Sequence, residues 1–117
     1  MKIKVSDQVW NVKLNYDDEN YFLNFAEDNN KKNSYAASFG TNKINEEQKE
    51  KICNQLKTFN KISVREEEGK NVVRELTGRN SELVLDPTLL LNKYEWENMI
   101  NNERIEKEKY IFVYVIA

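Results

Sequence analysis

The sequence contains no histidine, one cysteine, one proline and three glycines in 117 residues. A lone cysteine, Cys53, excludes a framework of intrachain disulfides, and a zinc site without histidine would have to be built almost wholly from carboxylates. We therefore expect a reduced, cytoplasmic chain with no metal and no cofactor. Cys53 follows Ile52 on the apolar side of a predicted helix, so we expect an inert, buried thiol that no histidine activates.

The chain also lacks a long apolar run and an excess of one charge. The stretch "YIFVYVIA" at 110–117 is far shorter than the roughly 20 residues that a membrane-spanning helix needs. The start, "MKIKVSDQVW", has no apolar core of a targeting sequence. Basic and acidic residues, 18 and 20 of them, are interspersed and leave a net charge of -2. Neither a transmembrane segment nor a nucleic-acid partner is expected.

Strand patterns recur along the chain, and each is followed by a short turn or loop segment. "KIKV" ends at "SDQ", and "SYAAS" ends at "FG". "KISVR" turns Ile62 and Val64 inward, and "ELVLD" is closed by Asp86 and Pro87, because proline cannot continue a strand ladder. We predict four strands from these segments.

Helical patterns separate these strands. Asn45 is predicted to cap a helix from about Glu46 to Thr58, which buries Ile52, Leu56 and Phe59. "EEEGKNVVRELTG" predicts a second helix that ends at Gly78, and "NKYEWENMI" a short third one. "YFLNFAE" is apolar and predicts a short irregular element on the core.

Strands that alternate with helices of this length are typical of right-handed βαβ crossovers. The predicted fold class is therefore α/β, a Rossmann-like parallel sheet with flanking helices. Parallel strands are usually buried on both faces, which is how "LVL" and "YIFVYVIA" read. Trp10 and Trp96 are expected in the core or at a domain junction, with sugar stacking as the alternative.

Four segments carry a resemblance to a known family. "SDQVWN" (6–11), "SYAASFG" (34–40), "ISVREEEG" (62–69) and "LVLDPTLLL" (83–91), followed by Trp96, occur in the order and spacing of the polysaccharide pyruvyl transferase family. The chain resembles that family over essentially its whole length. The resemblance implies a GT-B-like, two-domain transferase that moves a pyruvyl group from phosphoenolpyruvate to a sugar. The acceptor would be a cell-surface polysaccharide, an exopolysaccharide or a lipid-linked sugar, and the product a ketal.

The resemblance also implies a domain division. Residues 1–100 correspond to the C-terminal part of the N-terminal Rossmann-like domain, 101–109 to a charged linker, and 110–117 to the first strand of a C-terminal domain. Val5 stands where the family usually has glycine, and the family's arginine-histidine pair falls in the half that follows. We therefore expect an incomplete fragment, and whether it is an enzyme stays open. The alternative is a non-catalytic remnant or interaction module that self-associates through 110–117.

Arg65 is the first candidate site residue. Ligands of open α/β sheets bind at the carboxyl ends of the strands, and Arg65 is the last residue of "KISVR". Its guanidinium would bind the carboxylate and phosphate of phosphoenolpyruvate in bidentate fashion. Glutamates 66–68 suit the positive end of the next helix but would repel an anion there, so the contact should come from Arg65 itself. The alternative is an ion pair with Glu66, Glu67 or another acid.

The other candidates lie after neighbouring strands. Asp7 would accept a sugar hydroxyl or act as a catalytic base, and Ser6 and Gln8 would bind substrate beside it. The alternative is an aspartate turn that only redirects the chain. Ser38 and Gly40 would form a backbone-lined ligand loop, or else a plain turn between strand and helix.

Asp86 is assigned mainly to structure. It is predicted to hold the turn that Pro87 sets, with Thr88 as a candidate helix cap.

Overall fold

The computed structural model describes residues 2–5, 7–14, 18–41 and 43–100, together with the single positions 111 and 113. The expected linker 101–109 lies outside the described residues, as does nearly all of the expected strand 110–117. The domain division therefore stays a prediction.

Short parallel strands form the centre of the fold. They are β1 (Lys2–Val5), β2 (Lys32–Tyr35), β3 (Ser63–Val64) and β4 (Glu82–Leu83). β1 pairs with β2 from Lys2–Lys32 to Val5–Tyr35, and β3 pairs with β4 through Ser63–Glu82 and Val64–Leu83. Parallel bridges Asn33–Lys61 and Ala37–Val64 join β2 to β3. The strands thus follow one another in chain order, and the α/β class with a parallel sheet is confirmed.

The helices begin and end close to their predicted limits. They are α1 (Glu46–Lys57), α2 (Glu67–Thr77) and α3 (Lys93–Met99). Asn45 caps α1 by accepting from the Gln48 amide, as its side chain is suited to do. Gly78 ends α2 with a φ of 68°, a left-handed conformation that glycine adopts without a Cβ penalty. The described residues also include three 3-10 turns: Glu19–Phe22, Asn29–Lys31 and Pro87–Leu89.

The core is built around Trp10, which is 1% exposed. Its ring stacks on Phe22 with centroids 5.7 Å apart and meets the edge of Phe59 at 5.5 Å. Such offset and edge contacts add to the area that aromatic rings bury. α1 contributes Ile52 and Leu56 to this core, as the helical spacing predicted. The apolar segment around Phe22 also packs here, which confirms the predicted irregular element.

Arg79 closes the amino-end edge of the sheet. Its guanidinium donates to the carbonyl of Leu56 at 3.2 Å, of Phe59 at 2.7 Å and of Asn60 at 2.8 Å. The last carbonyls of a helix have no partner within the helix, so a cation at this end satisfies them and suits the helix dipole. Arg79 therefore joins the end of α1 to the loop that follows α2.

Three predictions about burial are wrong. For Trp96 only the placement in the core is wrong, since it is 39% exposed with its Nε1 donating to the Thr88 carbonyl at 3.2 Å, and a place at a domain junction stays a prediction. In "LVL", Leu83 is 49% and Leu85 59% exposed, because the only strand that the structure describes beside β4 is β3. Cys53 is half-buried, and its Sγ donates to the Leu76 carbonyl.

One strand prediction and one cap prediction need correction as well. β2 ends at Tyr35 instead of Ser38, because Ala36 takes a positive φ of 52° that breaks the strand. The cap of the turn at Pro87 is Asp86, which accepts from the Thr88 amide, and not Thr88 itself.

Candidate functional site

The loops after β1 and β2 are joined by their backbones at the carboxyl-end edge of the sheet. Ser38 donates its amide to the Asp7 carbonyl, and Trp10 donates to the Ser38 carbonyl, each at 3.0 Å. Asp7 has a φ of 58°, a conformation that aspartate tolerates better than most residues. Its Oδ1 accepts from the Gln8 amide at 2.8 Å, so the carboxylate is bonded to the backbone of its own loop. The buried Trp10 below holds this loop in place.

Arg65 lies at the centre of this edge and contacts three carboxylates. Its Nε donates to Glu66 Oε1 at 2.9 Å, and its NH1 to Asp86 Oδ2 at 2.8 Å. Its NH2 lies 3.4 Å from Asp7 Oδ1. These partners follow β1, β3 and β4, so one guanidinium links the ends of strands that are far apart in sequence.

The surroundings keep Arg65 charged. Partial burial lowers the pKa of its guanidinium, but the hydrogen bonds to Asp86 and Glu66 outweigh that effect and raise the pKa above its ordinary value. One positive charge faces three acidic side chains, with Glu67 and Glu68 next in sequence. Glu67 pairs with Lys70 at 3.0 Å. Arg65 with Asp7, Glu66 and Asp86, which we call the Arg65 cluster, therefore carries an excess of negative charge.

Asp86 was missed as a partner of Arg65. Its Oδ1 accepts from the Thr88 amide at 3.0 Å and the Thr88 hydroxyl at 2.7 Å, which confirms that it holds the turn at Pro87. Its other oxygen binds Arg65. The signal was present in the sequence, because β3 and β4 are consecutive parallel strands whose carboxyl ends meet at the same edge.

Gly40 occupies a position that needs glycine. Its φ is 63°, and a Cβ there would lie 2.6 Å from the Gln8 side-chain carbonyl carbon and 2.7 Å from Asn11 Nδ2. Side chains essentially never approach so closely. Gln8 Oε1 in turn accepts from Asn11 Nδ2. Gly40 thus lets the loop after β2 lie against the loop after β1.

The remaining candidates are placed as follows. The Ser38 side chain is fully buried, and its hydroxyl accepts from the Gly40 amide at 3.0 Å. In this arrangement Ser38 supports the loop. Gln8 is half-buried and Gly40 is exposed. Ser6 lies outside the described residues.

Two open depressions flank the Arg65 cluster. One of about 390 Å³ is bordered by Arg65 and Asp86 on one side and by Leu85 and Leu89 on the other. The second, of about 300 Å³, is lined by Gly40, Thr41 and the start of α2. Glu66 borders both. The edge therefore offers room for a small ligand beside a guanidinium and several carboxylates.

Neither a metal-binding cluster nor a membrane-spanning helix is found among the described residues. Among the residues that the structure describes, no group of three or more histidine, cysteine, aspartate or glutamate side chains is arranged to hold a metal ion. No helix in the described ranges is long and apolar enough to span a membrane.

A short parallel sheet with helices between its strands defines a small α/β domain, and open α/β sheets in general bind ligands at the carboxyl ends of their strands. The family model described as polysaccharide pyruvyl transferase matches residues 7–116. The chain belongs to this family. A search of curated proteins found no match, and neither did a search of solved structures.

Proposed function

We propose that the chain takes part in transferring a pyruvyl group from phosphoenolpyruvate to a glycan, with Arg65 as the residue that binds the donor. The observation that carries this proposal is the position of Arg65. A partly buried guanidinium stands at the carboxyl-end edge, beside an open depression, in a chain of this transferase family. Arginine suits planar, bidentate recognition of carboxylate and phosphate.

The reaction assigns distinct tasks to the residues around the donor. Two hydroxyls of the sugar bond to the central carbon of phosphoenolpyruvate, the bond from that carbon to the phosphate oxygen breaks, and inorganic phosphate leaves. Of the two hydroxyl protons, one goes to the methylene carbon to make a methyl group, and the other ends on phosphate. A base must remove a hydroxyl proton, and we assign Asp7 to this step because its carboxylate is 88% exposed beside Arg65.

Binding is tested by titrating the chain with phosphoenolpyruvate while measuring its free energy of unfolding. A ligand at 100 times its dissociation constant stabilises the native state by about 2.7 kcal/mol. We expect this gain in the wild type and not in Arg65→Ala. Arg74→Ala is the matched control, because it removes an exposed guanidinium from the last turn of α2, away from the cluster. Equal gains in Arg65→Ala and the wild type, or no gain in the wild type, would contradict the assignment.

Transfer is tested separately, with phosphoenolpyruvate and a hexose polysaccharide. Proton NMR should show the methyl signal of a pyruvyl ketal, with one phosphate released per ketal. Asp7→Asn should slow ketal formation while leaving the donor bound. Donor binding without ketal formation in the wild type would restrict the proposal to the binding step.

A further inference from the structure

The three carboxylates on Arg65 are held to different degrees. Asp86 is the most fixed, since its side chain is 22% exposed and both of its oxygens are engaged, one by Arg65 and one by Thr88. Pro87, next in sequence, restricts the backbone at the start of the 3-10 turn. Asp86 therefore holds NH1 of Arg65 in one direction.

Asp7 is the least fixed of the three. Its Oδ1 lies 3.4 Å from NH2, beyond the usual 2.7–3.2 Å of a hydrogen bond from nitrogen to oxygen. The side chain is 88% exposed, and the same oxygen also accepts from the Gln8 amide. The Asp7 backbone, by contrast, is held in place, because its carbonyl accepts hydrogen bonds from the amides of Val9 and Ser38. The carboxylate can thus turn away while the loop stays in place.

Glu66 takes an intermediate place. It contacts Nε at 2.9 Å, and its side chain is 37% exposed. NH1 and Nε therefore have close partners, and NH2 is the position with the weakest contact. A guanidinium binds a carboxylate in bidentate fashion either through NH1 and NH2 or through Nε and NH2, so NH2 takes part in both arrangements.

We infer that Asp7 is an exchangeable counter-ion that holds the place of a substrate carboxylate on Arg65, and that Asp86 is a positioning residue for the same guanidinium. An entering carboxylate replaces Asp7 at NH2, while Asp86 keeps NH1 fixed. This inference rests on the proposed function, because it takes the carboxylate of phosphoenolpyruvate as the entering group. It predicts that substitutions of the two aspartates change the affinity for phosphoenolpyruvate in opposite directions.

The test compares phosphoenolpyruvate affinity in two isosteric variants by calorimetry. Asp7→Asn removes the competing charge and should tighten binding roughly tenfold, whereas Asp86→Asn loosens the guanidinium and should weaken binding roughly tenfold. Asparagine can still cap the turn at Pro87, so the second variant keeps the local fold. Glu67→Gln is the charge control, because Glu67 pairs with Lys70 and not with Arg65. Its affinity should stay within about a factor of two of the wild type.

A second readout follows Arg65 without any ligand. The nitrogen-15 relaxation of its Nε should show greater motion in Asp86→Asn than in the wild type, and unchanged motion in Asp7→Asn. Equal motion in all three proteins would overturn the positioning role of Asp86, whatever the ligand does.

The outcomes separate this inference from the proposed function. If phosphoenolpyruvate binds but both aspartate variants change its affinity in the same direction, the inference fails and donor binding stands. If no variant binds it, donor binding fails, and the exchange at Asp7 fails with it. Pyruvate and inorganic phosphate, tested singly, identify the entering group. An Arg65 signal that moves with phosphate and not with pyruvate would overturn the assignment of the carboxylate.

Discussion

Two arginines at opposite edges of the sheet bind different kinds of partner. Arg79, at the amino-end edge, donates to backbone carbonyls of Leu56, Phe59 and Asn60. Arg65, at the carboxyl-end edge, contacts side-chain carboxylates of Asp7, Glu66 and Asp86. Carbonyls at a helix end cannot move away without unwinding the chain, but carboxylates can rotate and exchange. The amino-end arginine is therefore suited to holding the fold, and the carboxyl-end arginine to binding a ligand.

The largest effect on stability is expected at Arg79. Arg79→Ala removes the guanidinium donor from the carbonyl of Phe59, which is 2% exposed, so water cannot easily replace it, whereas the Leu56 carbonyl keeps the Phe59 amide as a donor. We expect a loss of about 3 kcal/mol in the free energy of unfolding, measured by urea denaturation. Arg79→Lys should recover only part of this loss, because a single ammonium group cannot donate to all the carbonyls that the planar guanidinium reaches with two nitrogens. If Arg79→Ala lost less free energy of unfolding than Arg65→Ala, the comparison between the two arginines would be reversed.

The glycines of the two edges provide the next test. Gly40 and Gly78 both have positive φ, but a Cβ at Gly40 would overlap the side chains of Gln8 and Asn11, whereas at Gly78 it would meet nothing within 4 Å. Gly78→Ala should therefore cost about 1 kcal/mol for its backbone conformation alone, and Gly40→Ala about 2 kcal/mol or more. Thermal unfolding of both variants measures the difference. Equal costs would show that the loops after β1 and β2 adapt easily.

A smaller effect is expected for Arg65. Arg65→Ala should change the free energy of unfolding by less than about 1 kcal/mol, because partly exposed ion pairs contribute little net stability. This change should shrink further as salt is raised, since a Debye length of about 10 Å at 0.1 M falls with ionic strength. The Arg79→Ala loss should persist in salt. Repeating both denaturation series at low and high sodium chloride checks the contrast.

The smallest effect concerns an acid at the amino-end edge. The hydrogen bond from Lys31 and that from the Asn30 amide lower the pKa of Asp28 below its ordinary value of 3.8. Because the folded pKa is the lower one, the stabilisation is present above the unfolded value and is lost as pH falls through the folded pKa. Asp28→Asn keeps the cap but should flatten this part of the curve of unfolding free energy against pH. If the free energy of unfolding falls at low pH in Asp28→Asn as it does in the wild type, the pairing with Lys31 is contradicted.

Local chemistry in the sequence was sufficient for the helices. The Asn45 cap and the stop at Gly78 are set by residues within a turn of the helix ends, and both were predicted correctly. The placement of Arg65 and Asp7 at strand ends followed in the same way from short polar segments after apolar ones. These features depend on neighbours in sequence, which a sequence displays directly.

Contacts between distant segments were predicted less well. The pairing of Arg65 with Asp86 depends on the adjacency of β3 and β4, and the role of Arg79 depends on where α1 ends. The exposure of Trp96 and Leu85 depends on what covers β4 and α3, which hydrophobicity alone does not reveal. Whether Ser38 or Gly40 touches a ligand depends on the ligand itself, so that hypothesis stays a prediction.

The most direct test measures the free energy of unfolding of Arg65→Ala and Arg79→Ala with and without phosphoenolpyruvate, at about 100 times the wild-type dissociation constant. The account predicts that Arg79→Ala loses stability yet keeps the ligand-induced gain of about 2.7 kcal/mol, whereas Arg65→Ala keeps its stability and loses the gain. The same response to phosphoenolpyruvate in both variants would contradict the division of roles between the two arginines.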